Sequence, residues 1–305
     1  MQKISVFFNA FLMIVILLLG RAEGLLVKGA EDYYSPDEIE TYAAASREAS
    51  ENGLLILYGG GFDTEEHFRP LLERCIAHTG KTAPRLLFLP TGEYDNPDGD
   101  WREIYARWQN AGCETDVLYV SRATPEEAAE KIAGADIIYE IGGNLDFITK
   151  NWSEKGLYDA VRAAFGRGAA LIGVSSGAMC WAARGWDNFG EPVFRITDEP
   201  PFFGTDDAYG FRDCAGVIPF CVCPHFDNPA WRVFSVEAVG LDIPSICIEN
   251  GAAVVYSNGA FEVIADGATP RRTAYLFCPE KNIRLMDLKK HGDVAAVVDG
   301  EMRSR

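Results

Sequence analysis

From residue 54 onward the chain alternates short, nearly unbroken apolar runs with longer segments whose apolar residues recur every three or four positions. The runs are LLILYGGG (54–61), RLLFLPTGE (85–93), ETDVLYV (114–120), DIIYEIGGN (136–144) and AALIGVSSG (169–177). Between them lie TEEHFRPLLERCIAHTG (64–80), DWREIYARWQNA (100–111), TPEEAAEKIAGA (124–135) and residues 145–167. A short continuous run suits a strand buried on both faces, and a recurrent stripe suits an amphipathic helix. Thr124 followed by Pro125 supplies a helix cap and a first-turn proline. The pattern predicts an α/β fold with a mostly parallel sheet and helices on both faces. After residue 185 the character changes. A loop-rich stretch (187–216) precedes runs near VIPFCVC, SICIEN, GAAVVYS, AFEVIA and TAYLFC, read as continuation of the sheet plus an antiparallel edge. No internal repeat is present.

The first 52 residues stand apart from this alternation. Residues 1–22 hold one Lys, an apolar stretch from Ile4 to Leu19, and Gly20-Arg21-Ala22, the form of a secretory signal peptide. The stretch is short for a full membrane span. A membrane anchor through residues 4–19, and a start codon set too early, stay open beside export. Residues 23–52 form a polar extension, helix or linker, in which Ser35-Pro36-Asp37-Glu38 reads as a helix start. Residues 53–305 form the α/β domain.

Composition narrows the partners. Of 305 residues, 48% are hydrophobic and 24% charged, enough for a large core. The net charge of −17 comes with no Lys/Arg stripe, which argues against nucleic acid. The expected partner is a peptide or small-molecule substrate, and an acidic one would need a local cation. The eight cysteines form no Cys-x-x-Cys pair, and Cys221-x-Cys223 alone is not a zinc signature. Most of them read as small buried hydrophobes, and neither a metal nor a cofactor is expected.

Open parallel sheets place their sites beyond the carboxyl ends of the strands. Gly59-Gly60-Gly61, Thr91, Gly142-Gly143-Asn144 and Ser175 all fall there. Gly173-Val174-Ser175-Ser176-Gly177 has the strand-turn-helix context of a nucleophile elbow, with AMCWAA read as the helix. Only Ser175 has glycine two residues before and two after, so its side chain is the candidate nucleophile. The backbone N–H of Ser176 would face an oxyanion. A nucleophilic serine needs a base. Of four histidines, His225 alone follows a predicted strand end, in FCVCPHFDNPAW. Glu249, ending SICIE, is a candidate to orient the ring, with Asp227 as competitor.

Ile141-Gly142-Gly143-Asn144, Gly173-Val174-Ser175-Ser176-Gly177-Ala178 and Cys223-Pro224-His225-Phe226, in that order, resemble the peptidase E (aspartyl dipeptidase) and cyanophycinase family of serine peptidases, in particular its peptidase E-like branch. The resemblance spans roughly residues 53 to 290. It implies a class I glutamine-amidotransferase-like fold and a Ser-His-Glu triad of Ser175, His225 and Glu249. It also implies an oxyanion hole from the N–H groups of Gly143 and Ser176, a substrate-binding role for Asn144, and a cytoplasmic location unless residues 1–22 act as a signal. Ser176 stands where the family usually has Ala. Counting back from Gly251 puts Asn250, not Glu249, at the family's acid position. The implied activity is removal of a dipeptide with N-terminal Asp, for which Arg232, on a helix expected after His225, is a candidate reader of the acidic side chain. A cyanophycinase-type hydrolase of aspartate-rich polymer and a non-catalytic ligand-binding member of the fold remain alternatives. A carboxylate against His225 supports the peptidase. An amide there, with no acid nearby, supports the binding protein.

Overall fold

A computed structural model of the chain describes residues 34–49, 53–187, 210–231, 234–278 and 282–305. The leader at 1–22, most of the polar extension's flanks and Arg232 lie outside the described residues. Among those described, no helix is long and apolar enough to cross a membrane.

The first half follows the expected alternation: α1 (Pro36–Ala49), β1 (Leu54–Tyr58), α2 (Glu65–Thr79), β2 (Arg85–Leu89), α3 (Trp101–Asn110), β3 (Glu114–Val117), α4 (Pro125–Gly134), β4 (Ile137–Glu140), α5 (Leu145–Glu154), α6 (Leu157–Gly166) and β5 (Ala170–Val174). Local signals start several of these helices. The Ser35 hydroxyl accepts the Glu38 N–H at 3.3 Å while the Glu38 carboxylate accepts the Ser35 N–H at 2.8 Å, a reciprocal capping box. The Thr124 hydroxyl accepts the Glu127 N–H at 3.1 Å. Gly156, at φ 68°, divides residues 145–167 into two helices where one helical segment was read.

The second half runs α7 (Ser176–Met179), β6 (Ala182–Asp187), β7 (Gly210–Asp213), β8 (Ile218–Cys223), α8 (Phe234–Glu237), β9 (Ser245–Ile248), β10 (Ala252–Ser257), β11 (Ala260–Ala265), β12 (Ala274–Cys278), β13 (Asn282–Asp287) and α9 (Leu288–Ser304). Here the structure departs from the sequence reading. AMCWAA is one helical turn that gives way to a strand, because Trp181 and Ala182 are fully buried and lead into a second sheet. That sheet has six strands in the order β13-β12-β9-β8-β6-β7. It is separate from the seven-stranded sheet β11-β10-β1-β5-β4-β2-β3. Only β10 and β11 extend the first sheet as the expected antiparallel edge.

The unbroken apolar runs are explained by burial on both faces of the first sheet. Leu55 and Leu57 of β1 join one hydrophobic cluster, and Leu54, Ile56 and Tyr58 join the other. β4 and β5 divide the same way, with Ile138 and Leu171 on one side and Ile137, Tyr139, Ala170 and Ile172 on the other. All eight cysteines are free and buried, as small hydrophobes would be. β1, β5, β4, β2 and β3 are mutually parallel, so their carboxyl ends share one edge of the sheet.

Candidate active site

The turn after β5 is tight for a steric reason. Ser175 sits at φ 54°, ψ −120°, a region that L-residues rarely occupy. A Cβ on Gly173 would run into the Gly177 carbonyl, and one on Gly177 into the Glu140 carbonyl of β4. Both glycines therefore let the turn close against itself and against the neighbouring strand. The Ser175 N–H bonds the Tyr58 carbonyl at the end of β1 at 3.0 Å, which fixes the strained residue to the sheet.

His225 follows β8 in the second sheet and also has positive φ, 52°. The Phe226 N–H bonds the Ile248 carbonyl of β9 at 3.0 Å, and the Asn228 N–H folds back on the His225 carbonyl at 2.8 Å. This turn carries the imidazole to the first sheet, where Nε2 lies 2.8 Å from Ser175 Oγ. The other ring nitrogen, Nδ1, lies 2.7 Å from Asn250 Oδ1. An amide oxygen only accepts, so Nδ1 carries the proton and Nε2 presents its lone pair to the serine hydroxyl. The network fixes the amide's orientation too, because the Asn250 Nδ2 donates to Asp227 Oδ1 at 2.9 Å. Turned over, the amide would set its oxygen against a carboxylate.

The structure does not bring Glu249 to His225. The Glu249 side chain points the opposite way. Its Oε2 accepts the Thr273 N–H at 3.3 Å and lies 3.9 Å from Arg272 Nη1, and its Oε1 accepts the Tyr275 hydroxyl at 3.4 Å. Residues 249–252 form a turn closed by the Ala252 N–H on the Glu249 carbonyl at 3.1 Å, and the two side chains leave it toward different partners. Asn250 occupies the position beside the imidazole, and Asp227 lies behind Asn250.

Burial holds the His225 imidazole below its ordinary value of 6.5, and the Asn250 hydrogen bond and the Asp227 charge pull partly the other way. The ring is therefore neutral at pH 7, as a proton acceptor must be.

The N–H groups of Gly143 and of Ser176, the residue after Ser175, have no hydrogen-bond partner among the described residues. The Ser176 hydroxyl donates to the Gly143 carbonyl at 2.6 Å, so the serine standing in place of alanine ties the two turns together. Asn144 is mostly buried. Its side-chain oxygen caps α5 through the Phe147 N–H at 2.7 Å, and its Nδ2 donates to the Tyr94 hydroxyl at 3.1 Å. Those bonds give Asn144 a structural role at the rim. The close approach of Gly60 was not read from the sequence. A Cβ there would lie 2.9 Å from His225 Cε1 and inside contact distance of Asn250 Oδ1. Its signal was the glycine run at the end of β1.

The profile of Peptidase family S51 matches residues 54–264, which include Ser175, His225 and Asn250. The uncharacterized peptidase YgaJ of Bacillus subtilis is 25% identical over 175 residues, 57% of this chain and 69% of that protein. Peptidase E of Citrobacter koseri is 36% identical over 97 residues, covering 32% of this chain and 37% of the relative. Peptidase E of Salmonella arizonae is 36% identical over 147 residues, covering 45% and 57%. The matched segments thus span well under two thirds of either Peptidase E chain. A solved peptidase from an acI-B1 Actinobacterium superposes with TM-score 0.51 at 20% identity, covering 76% of this chain and 93% of that one. A Peptidase E-like protein from Listeria monocytogenes gives TM-score 0.51 at 17% identity, covering 70% and 98%. These two likenesses concern the fold, which is the glutamine-amidotransferase-like α/β architecture. With more than half its length matched by the family profile, the chain belongs to Peptidase family S51.

Proposed function

We propose that this chain is a serine-type peptidase in which Ser175 is the nucleophile and His225 the general base. The observation that carries the reading is the 2.8 Å contact between Ser175 Oγ and an Nε2 whose lone pair is set by the Nδ1 bond to Asn250. In the first step Oγ bonds to the peptide carbonyl carbon and its proton passes to His225 Nε2. The carbonyl oxygen, now negative, is met by the N–H groups of Gly143 and Ser176. The C–N bond then breaks, and the departing amine takes the proton from Nε2. Water attacks the resulting ester with the same histidine as base, which regenerates Ser175. None of these steps needs a metal ion or an organic cofactor.

The amide beside His225 is the one observation that favours a non-catalytic ligand-binding protein. It is outweighed because an acid is nearby: Asp227 is hydrogen-bonded to that amide. Histidine oriented by asparagine is also a working arrangement in cysteine peptidases.

For substrate, we infer a short peptide cut near its amino end, with N-terminal Asp preferred. The peptidase class is supported by the likeness to Peptidase E proteins, and the Asp preference is what the motif resemblance to the aspartyl dipeptidase family implies. The test is hydrolysis of an Asp-X chromogenic amide beside Ala-X and Leu-X analogues, with Ser175→Ala as control. Activity on Asp-X that disappears in Ser175→Ala is the expected result. Equal hydrolysis by Ser175→Ala removes the nucleophile assignment, and binding of Asp-X without turnover by the wild type favours the ligand-binding protein.

A further inference from the structure

The ring of His225 meets a neutral amide, yet the site contains a carboxylate one hydrogen bond further out. Asp227 Oδ1 accepts two bonds from the same residue, the Asn250 backbone N–H at 2.8 Å and the Asn250 Nδ2 at 2.9 Å. Its Oδ2 is held by Arg272 Nη1 at 3.0 Å. The Asp227 side chain is only 13% exposed, so its charge acts through a medium of low dielectric constant. Arg272 is the charged group that faces it directly, and Glu249 lies behind Arg272 at 3.9 Å. Among the described residues, His225 completes the set of titratable groups at this end. The result is one connected line: Arg272, Asp227, Asn250, His225, Ser175.

Each link in this line has one donor and one acceptor that chemistry permits. Arg272 only donates and Asp227 only accepts, so the carboxylate must take the Asn250 NH₂ group. The amide must then turn its oxygen to His225, and the ring must carry its proton on Nδ1. If Asp227 were absent, the amide would be free to turn over, and its NH₂ would favour the tautomer that puts the lone pair on Nδ1. The nucleophile would then face an N–H that cannot accept its proton.

We propose that Asp227 is a positioning residue of this site: acting through Asn250, it sets the orientation of His225 and places its negative charge where the imidazolium forms. The proposal rests on Ser175 and His225 being the reactive pair. Asn250 thus conveys the influence of an acid that, in a Ser-His-acid arrangement, would touch the ring itself. Glu249 does not take part in this line. It braces Arg272 and the start of β12 through the Thr273 N–H.

The test does not require the natural substrate. A small alkyl fluorophosphonate reports the reactivity of Ser175 directly, and its second-order labelling rate is followed against pH for wild type, Ser175→Ala, Asp227→Asn and Asp227→Ala. Asp227→Asn preserves size and an oxygen for the Asn250 N–H, so it keeps the turn while removing the charge. The expected result is a labelling rate lower by roughly 10- to 100-fold, the size of effect that follows loss of the hydrogen-bond partner orienting a metal-binding histidine. The acid limb of its pH profile should also move to lower pH, because a ring without the nearby anion holds its proton less tightly. A wild-type rate and an unmoved acid limb in Asp227→Asn overturn the proposal and leave the Ser175–His225 reading standing. Wild-type protein that labels no faster than Ser175→Ala overturns the reading itself. If Asp227→Ala loses its fold, the pH midpoint of Asp227→Asn still decides the matter.

Discussion

Two residues without glycine's freedom, Ser175 and His225, are held at φ 54° and 52°. Such conformations cost on the order of 1–3 kcal/mol each and persist where the surroundings over-determine them. Here the surroundings are the backbone bonds to Tyr58, Ile248 and Asn228. Because burial depresses the His225 pKa, the neutral, proton-accepting form survives below the ordinary histidine range. The acid limb of kcat/KM is therefore expected with a midpoint under 6.5. A pH–rate series on any accepted substrate checks this. Gly60 gives a second residue-scale prediction. Gly60→Ala would press a methyl group on Asn250 Oδ1 and the His225 ring at a residue whose φ is +135°. A displacement near 1 Å suffices to cost about 100-fold in rate. Steady-state kinetics should show a fall of that order in kcat while circular dichroism still reports a folded protein.

At the scale of elements, the site is a set of turns at strand ends that brace one another. The end of β4 supplies an example. Glu140 is fully buried, and its Oε1 accepts the Gly92 N–H after β2 at 3.1 Å. The Gly92 carbonyl in turn accepts the Asn144 N–H at 2.8 Å, which ties the turn after β2 to the Gly142-Gly143 turn. Burial raises the Glu140 pKa well above its ordinary value of 4.5. A folded-state value above the unfolded one means that this stability is present below the unfolded pKa and is lost as pH rises. Glu140→Gln keeps an oxygen for Gly92 without that liability. Its Tm relative to wild type should therefore increase between pH 5 and pH 8, as scanning calorimetry at the two pH values would show. Much of this level was readable in the sequence. Continuous apolar runs marked β1, β2, β4 and β5, and glycine spacing separated Ser175 from Ser176. The one-turn α7 was not readable, because Ala178-Met179-Cys180-Trp181 suits a helix by propensity and only burial in a second sheet ends it.

For the whole molecule, the division into two sheets was the least legible property. Parallel and antiparallel runs near VIPFCVC, SICIEN and TAYLFC carry no mark of which sheet they join, since sheet membership depends on partners distant in the chain. The choice between Glu249 and Asn250 was hidden for the same reason. Both residues lie at the end of one strand, and which of them faces His225 depends on how β9 leaves the second sheet and β10 enters the first. β5 presents Ser175 from one sheet, while β8 presents His225 from the other. Residues 249–251 are the crossing between them, anchored where the Gly251 N–H bonds the Gly60 carbonyl at 2.7 Å. The proposed reactive pair, Ser175 and His225, is thus a joint between two independently hydrogen-bonded slabs, and its 2.8 Å contact gauges their alignment. A slight slip along that joint would silence the protein while both slabs kept their strands. During gradual denaturation, loss of Ser175 labelling should therefore run ahead of loss of far-ultraviolet ellipticity, and the two curves would coincide only if the slabs come apart and melt in one event.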